Sequence, residues 1–204
     1  MGRWEPEARE RLMFAALDLF SEQGYENTGV AQIAERAGLT KSTFFRHFKD
    51  KREVLFAGQD ELVELILAGI AGTPESAGAL AAIEGALVAI AVTFTETRRA
   101  NGPRRLAVIA ANDELRERDA MKMAGFSRVM QDGLVRRGVS ELDAAVAAEL
   151  GVVALRVAYD RWLRAGGDFA EAARRALGEV SAAAAALVVT PVSSSGVAAR
   201  RCSR

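Results

Sequence analysis

The sequence predicts an all-α protein, on three observations. Apolar residues recur every three to four positions through almost every segment, and no stretch alternates with period two. Half of the 204 residues are hydrophobic but only 6% are aromatic, a balance typical of helices rich in Ala, Leu and Val. Only four prolines occur, and none is expected to interrupt a long helix. About nine helices in two unequal groups are expected. Length alone does not decide between one large domain and two small ones.

The first helix runs from about Glu5 to Glu22 and buries Leu12, Ala15, Ala16, Leu19 and Phe20. Gly24 ends it and Tyr25 packs back on it. Residues 28–51 then read as two short helices joined by a tight turn. Ile33, Ala34 and Ala37 give the first an apolar face at helical spacing, and Phe44 and Phe48 do so for the second. Gly38 sits where the turn needs positive φ, Leu39 plugs the turn, and Thr40 is placed to cap the next helix. Ala34, four residues before that glycine, lets the helices approach closely. This is helix-turn-helix spacing, which points to DNA.

Asp50 with Glu53 has the capping-box pattern and predicts a fourth helix through Val54, Leu55, Leu62, Leu65, Ile66 and Ile70. Residues 72–76 form a break. Gly78 and Gly85 then open two similar tetrapeptides seven residues apart, predicting a helix packed closely on its neighbours and reaching about Arg98. Asn101-Gly-Pro103 is a further predicted break, followed by a short helix to Ala111 and a longer one from about Glu114 to Arg137. Ser140 with Asp143 caps a long helix ending at Arg164 before Gly166-Gly167. Asp168 with Glu171 caps the last, which reaches about Val189. The expected organisation is a DNA-binding unit at 1–51, a second helical unit at 52–189, and a disordered tail at 190–204.

Formal net charge is zero, so attraction to DNA must be local. Between Lys41 and Arg52 the basic residues Lys41, Arg46, Lys49, Lys51 and Arg52 face one acid, Asp50, which leaves the rest of the chain net acidic. Contact with phosphates is thereby confined to one end. The one cysteine, Cys202, excludes an intramolecular disulfide and cysteine-rich zinc sites. No signal-peptide core and no charge-free apolar run of about eighteen residues is found, so a cytoplasmic location without a membrane partner is expected. His47 is the only histidine; with no cysteine or clustered carboxylates near it in sequence, neither metal nor cofactor is expected.

The run Ala16-Leu-Asp-Leu-Phe20, Gly24-Tyr25, Thr28, Ile33-Ala34, Ala37-Gly38 and Thr43-Phe-Phe-Arg-His-Phe48 with Lys51 resembles the DNA-binding domain of TetR-family transcriptional regulators. Residues 101–164 more loosely resemble an actinobacterial subgroup, some of whose members answer to acyl-CoA-type or other large apolar ligands. The resemblance implies that Lys41 and Ser42 read bases near the helix start. It implies that Thr43, His47 and Lys51 hold phosphates, and that Thr28 caps the second helix and offers its hydroxyl to a phosphate; capping alone is the other reading. With Phe44 and Phe48 turned to the core, Phe45 and Arg46 also face outward. Arg46 is expected to contact guanine O6 and N7, worth about 1–3 kcal/mol of discrimination; a phosphate or solvent contact is the alternative. Two departures remove phosphate-bonding hydroxyls: Phe45 replaces the usual tyrosine, and Gly29 stands where Thr or Ser is common.

The resemblance also implies a homodimeric repressor on a palindromic double-stranded DNA operator, released by a small-molecule effector bound among the later helices. The expected effector site is largely apolar: Leu62, Ile66, Phe94, Leu106, Ile109, Met123, Phe126, Met130 and Tyr159, with Arg156 as a polar partner. Val88, Met121 and Trp162 are further lining candidates. The alternative for each apolar residue is simple core packing, and for Arg156, which could pair a ligand carboxylate or phosphate, a structural ion pair. The dimer is expected to form through residues 143–164 and 169–189, using stripes that include Val146, Val153, Ala154, Ala173, Leu177 and Leu187. The competing reading is an all-α enzyme or small-molecule carrier with a structural helix-turn-helix. It lacks a nucleophile–base pair, a metal-ligand cluster or a phosphate-binding glycine loop.

Overall fold

A computed structural model describes residues 4–189, which hold nine α-helices and no strand. The helices are α1 (Trp4–Gln23), α2 (Val30–Arg36), α3 (Lys41–His47), α4 (Gln59–Ala71), α5 (Ala79–Ala89), α6 (Glu96–Ala110), α7 (Asp113–Arg136), α8 (Glu141–Ala165) and α9 (Phe169–Val189). The tail expected at 190–204, with Cys202, lies outside the described residues. Among the described residues no single helix is long and apolar enough to cross a membrane, and the only pair that passes together, Ala79–Thr93 with Glu96–Ala110, is bent by 98°.

Two hydrophobic cores organise the helices. The first gathers Leu12, Ala16, Phe20, Ile33, Phe44 and Phe48 from α1–α3. It does not stop at residue 51: Val54, Leu55 and Phe56 are buried in it, and Val108, Ile109 and Leu115 enter it from the α6–α7 corner. The division between the cores therefore falls near Gly58. The second core packs α4, α5, α7, α8 and α9 around Ile83, Leu87, Phe126, Met130, Leu155 and Trp162.

Half of the capping pattern at Asp50 and Glu53 forms, and it opens only a 3-10 turn. Asp50 Oδ1 accepts from the Glu53 N–H at 3.0 Å, and Glu53 Oε2 accepts from the Lys49 N–H at 2.6 Å. The turn spans Glu53–Phe56 and is followed by Gly58, whose φ of 83° is left-handed, so α4 begins only at Gln59.

Two other breaks differ from expectation. The fifth helix stops at Ala89 and a 3-10 turn runs to Thr93; Thr95 then caps α6, its side chain accepting from the Arg98 N–H. Conversely, Asn101-Gly-Pro103 is no break, because α6 runs straight through it. Gly102 is there for packing: a Cβ on it would lie 2.3 Å from Leu163 Cδ2. Pro103 is exposed on the outer side, where water can serve the carbonyl that its missing N–H leaves free. The close packing expected of α5 is present. A Cβ on Gly69 would meet the Gly85 carbonyl oxygen at 2.4 Å, and one on Gly85 would meet the Gly69 oxygen at 2.7 Å. The α4 and α5 backbones thus touch, which any side chain would prevent. The caps expected of the last two helices also form. Ser140 accepts from the Asp143 N–H at 3.2 Å, and Asp168 from the Glu171 N–H at 3.0 Å.

Candidate DNA interface and effector cavity

The seven-residue α3 is too short to be stable alone; tertiary packing holds it. Phe44 and Phe48 are 0% and 2% exposed and their rings lie 5.5 Å apart. Truncating such a buried Phe to Ala typically costs about 3–5 kcal/mol. Thr40 caps the helix, its hydroxyl accepting from the Thr43 N–H at 3.1 Å and lying 2.9 Å from Thr43 Oγ1. Arg11 donates to the Ala37 carbonyl and so ties α1 to the turn between α2 and α3.

This packing leaves Lys41, Ser42, Phe45 and Arg46 exposed on one outer face, with Thr43 and His47 half-buried beside them. The Lys41 ammonium lies 5.9 Å from the Phe45 ring centre, and Arg46 makes only a 3.4 Å contact with Thr43 Oγ1. Among the described ion pairs none involves Lys41, Arg46 or Lys49. Their charges stand free for an external anion, unlike the arginines of the chain that are paired with carboxylates.

Two residues expected at this surface are placed elsewhere. Thr28 is 2% exposed; its hydroxyl donates to the Gly24 carbonyl at 2.8 Å and accepts from Gln23 Nε2 at 3.2 Å. The cap of α2 is Gly29, whose N–H donates to Gln32 Oε1 at 2.8 Å. Lys51 reaches back to the α1–α2 turn, donating to the carbonyls of Tyr25 at 2.7 Å and Thr28 at 3.1 Å, with Glu26 at 3.4 Å. Its ammonium also lies 4.2 Å from the Tyr25 ring centre. Three carbonyls match its three donors, so the half-buried Lys51 ties the segment after α3 to the α1–α2 turn.

Behind this unit lies a cavity of about 240 Å³ among α4, α6, α7 and α8. Of the residues expected to line an effector site, it brings together Leu62, Ile66, Phe94, Leu106, Met123, Phe126 and Tyr159, with Arg156 exposed on its rim. Ile109 and Met130 are not among its lining. Ile109 belongs to the first core, and Met130 is fully buried with its sulfur beside Gly151. Met121 is 67% exposed and Trp162 is buried, its indole N–H donating to the Gly167 carbonyl at 3.1 Å. A second cavity of about 390 Å³ lies between α1, the 53–56 turn and α6, and shares Arg98, Arg105 and Tyr159 with the first.

The charged wall of the smaller cavity was not expected from the sequence. Arg98, Arg105, Asp119 and Lys122 line the smaller cavity. Arg98 donates to the Thr93 carbonyl at 3.1 Å and to the Thr93 hydroxyl at 3.0 Å. Burial first, then the neighbouring Arg105 charge, lowers its pKa. Arg105 Nε donates to the Leu55 carbonyl at 2.7 Å, while its buried Nη2 has no hydrogen-bond acceptor and stands 3.7 Å from Asp119 Oδ1. Lys122 lies over the rings of Phe126 and Phe56, at 5.6 and 6.0 Å from their centres. Burial, with the Arg105 charge second, pushes its ammonium down from 10.5 to about 7.

Polar links join this side of the cavity to α1, the α1–α2 turn and the 53–56 turn. Besides Arg105 to Leu55, Arg52 pairs with Glu114 at 2.5 Å, Arg104 with Asp18 at 2.6 Å, and Asn112 Nδ2 donates to Glu26 Oε1 at 2.6 Å. The α6–α7 corner is therefore bonded to α1, to the α1–α2 turn and to the 53–56 turn.

Residues 12–57 match the family model of bacterial regulatory proteins, tetR family. Among curated proteins, the HTH-type transcriptional regulator TcmR of Streptomyces glaucescens is 42% identical over 82 residues, covering 40% of this chain and 36% of that protein. The matched part spans between about a quarter and just over a third of the first such relatives. Among solved structures, SmeT in complex with triclosan is 19% identical, covers 86% of this chain and 90% of its own, and superposes with a TM-score of 0.58; SmeT is a repressor from Stenotrophomonas maltophilia. FadR of Bacillus subtilis in complex with stearoyl-CoA is 19% identical, covers 84% and 96%, and gives 0.53. Both structures share the fold of this chain.

Proposed function

From a chain that belongs to the TetR family of bacterial regulators, we propose a homodimeric repressor that binds a palindromic operator and is released by a small, largely apolar effector. The observation that carries the DNA reading is the face of α3. Phe44 and Phe48 fix the helix from behind while Lys41, Ser42, Phe45 and Arg46 stand exposed, their cations unpaired. Arg46 reads a guanine, Lys41 and Ser42 read bases near the helix start, and Lys49 meets a phosphate.

Two copies are needed to read half-sites about one DNA turn apart. The outer side of α8 and α9 supports a dimer: Leu142, Val146, Val153 and Leu187 are 74%, 53%, 43% and 84% exposed. Ala154, Ala173 and Leu177, expected in the same stripe, are buried within the chain and belong to its own core. Two solved proteins of this fold hold triclosan and stearoyl-CoA, which supports an effector in the cavity behind α6. An effector that displaces α6 or α7 pulls on the corner bonded to the DNA-binding unit, and so alters the separation of two recognition helices.

Selection of bound sequences from a random DNA pool, followed by anisotropy titrations, tests the reading. An inverted repeat is expected, with Arg46→Ala costing about 1–3 kcal/mol of preference for it over scrambled DNA. Equal binding of selected and scrambled DNA by the unaltered protein would refute it.

A further inference from the structure

We propose that the effector is an amphiphilic anion, its carboxylate or phosphate head held by Arg98, Arg105 and Lys122 and its apolar chain running between α4 and α8. This deepens the effector part of the function proposed above and rests on it. The cavity wall presents three largely buried cations, and Asp119 is the one acid whose carboxylate approaches them as an ion pair, at 3.7 Å from Arg105. The excess positive charge is costly without a partner. Arg105 Nη2 is a buried donor without an acceptor, and no hydrogen bond or ion pair among the described residues occupies the Lys122 ammonium. Both donors are on the wall of a space whose apolar lining includes Leu62, Ile66, Met123 and Phe126, with Arg98, Asp119, Arg156 and Asp160 as its other charged side chains. A neutral or cationic ligand would leave that charge standing; an anion removes it and forms charge-assisted hydrogen bonds.

The head also has a route to the DNA-binding unit. Arg105 holds the Leu55 carbonyl at 2.7 Å and lies 5.5 Å from the Phe56 ring centre, with Lys122 over the same ring at 6.0 Å. An anion that draws Arg105 and Lys122 into the cavity loosens the clasp on the 53–56 turn.

The test is calorimetric titration of the full chain with decanoate, decyl phosphate and 1-decanol, a chain length chosen because the cavity is only about 240 Å³. Both anions are expected to bind about ten- to a hundredfold more tightly than the alcohol, and the tighter of the two identifies the head. Lys122→Met, which keeps the cavity apolar, and Arg105→Gln should each abolish that preference while retaining decanol binding. Decanol binding as tightly as the anions, anion binding that survives both substitutions, or no binding of any of the three would overturn the proposal. Operator release is read separately by anisotropy. Anions that bind without releasing DNA refute the effector-response reading while leaving the ligand class intact, whereas release by decanol alone does the reverse.

Discussion

Lys122→Met gives the sharpest test of the charged wall, because its effect must change with pH. The ammonium is pushed from 10.5 down to about 7, so the folded protein penalises the charged form. At about 1.4 kcal/mol for each pH unit, that displacement corresponds to roughly 5 kcal/mol at most. The sign follows from linkage. Between about pH 7 and 10.5 the unfolded chain holds the proton more tightly than the folded one, so stability rises with pH across that window. Below about pH 7 both states are protonated and the whole cost is present. Against it stand two cation–π contacts, to Phe56 and Phe126, each worth about 0.5–2 kcal/mol. Methionine loses those contacts but carries no charge, so the variant should be more stable than the parent near pH 6, by about 1–4 kcal/mol. That advantage should shrink as the pH approaches about 10.

The charges that act on this ammonium are Arg98 and Arg105 on α6 and Asp119 on α7; Arg156, Tyr159 and Asp160 line the α8 side of the same cavity, and α4 contributes Leu62 and Ile66. Urea unfolding of both proteins at several pH values is the assay. A stability difference that stays constant with pH would refute the assignment of a buried, uncompensated ammonium.

Two further outcomes follow from the packing. Lys51→Ala strips the carbonyls of Tyr25, Glu26 and Thr28 of their shared donor and should lower stability by about 1–3 kcal/mol. The salt dependence of DNA binding by the folded variant should keep its slope, whereas a phosphate contact would reduce that slope by about one. Gly85→Ala places a Cβ 2.7 Å from the Gly69 oxygen and 2.4 Å from Thr73 Oγ1; separating α4 from α5 should cost more than about 3 kcal/mol in chemical unfolding, and an unchanged midpoint would show that the helices are not in backbone contact.

The helix-turn-helix was legible because its signals are local. Gly38, Thr40, Phe44 and Phe48 each act within a turn or two of themselves, and spacing along the chain is then almost spacing in the molecule. Thr28 and Lys51 show where that fails. Whether a hydroxyl caps a helix or bonds backwards depends on one residue of register, and Gly29 took the cap position. The partners of Lys51 are backbone carbonyls some 23 to 26 residues earlier, which no side-chain pattern announces. Ile109 and Met130 fail for another reason: their apolar periodicity fits a core and a cavity equally well, and only the tertiary arrangement separates the two.

The charged wall went unseen because of a single boundary. Asn101-Gly-Pro103 has the composition of a break, and cutting the chain there puts Arg98 and Arg105 on different elements. Once α6 is continuous from Glu96 to Ala110, the two arginines stand seven residues apart, two turns along one face. Asp119 and Lys122, three apart on α7, supply the facing half of the wall. Gly102 makes that continuity possible by letting α6 lie against Leu163 of α8. The glycine that imitates a turn in the sequence is thus what lets α6 pass close to α8, bringing its two arginines to a cavity that α7 and α8 also line. Because the same helix ends in Val108 and Ile109, buried in the first core, a charge bound at Arg105 acts on an element packed into that core.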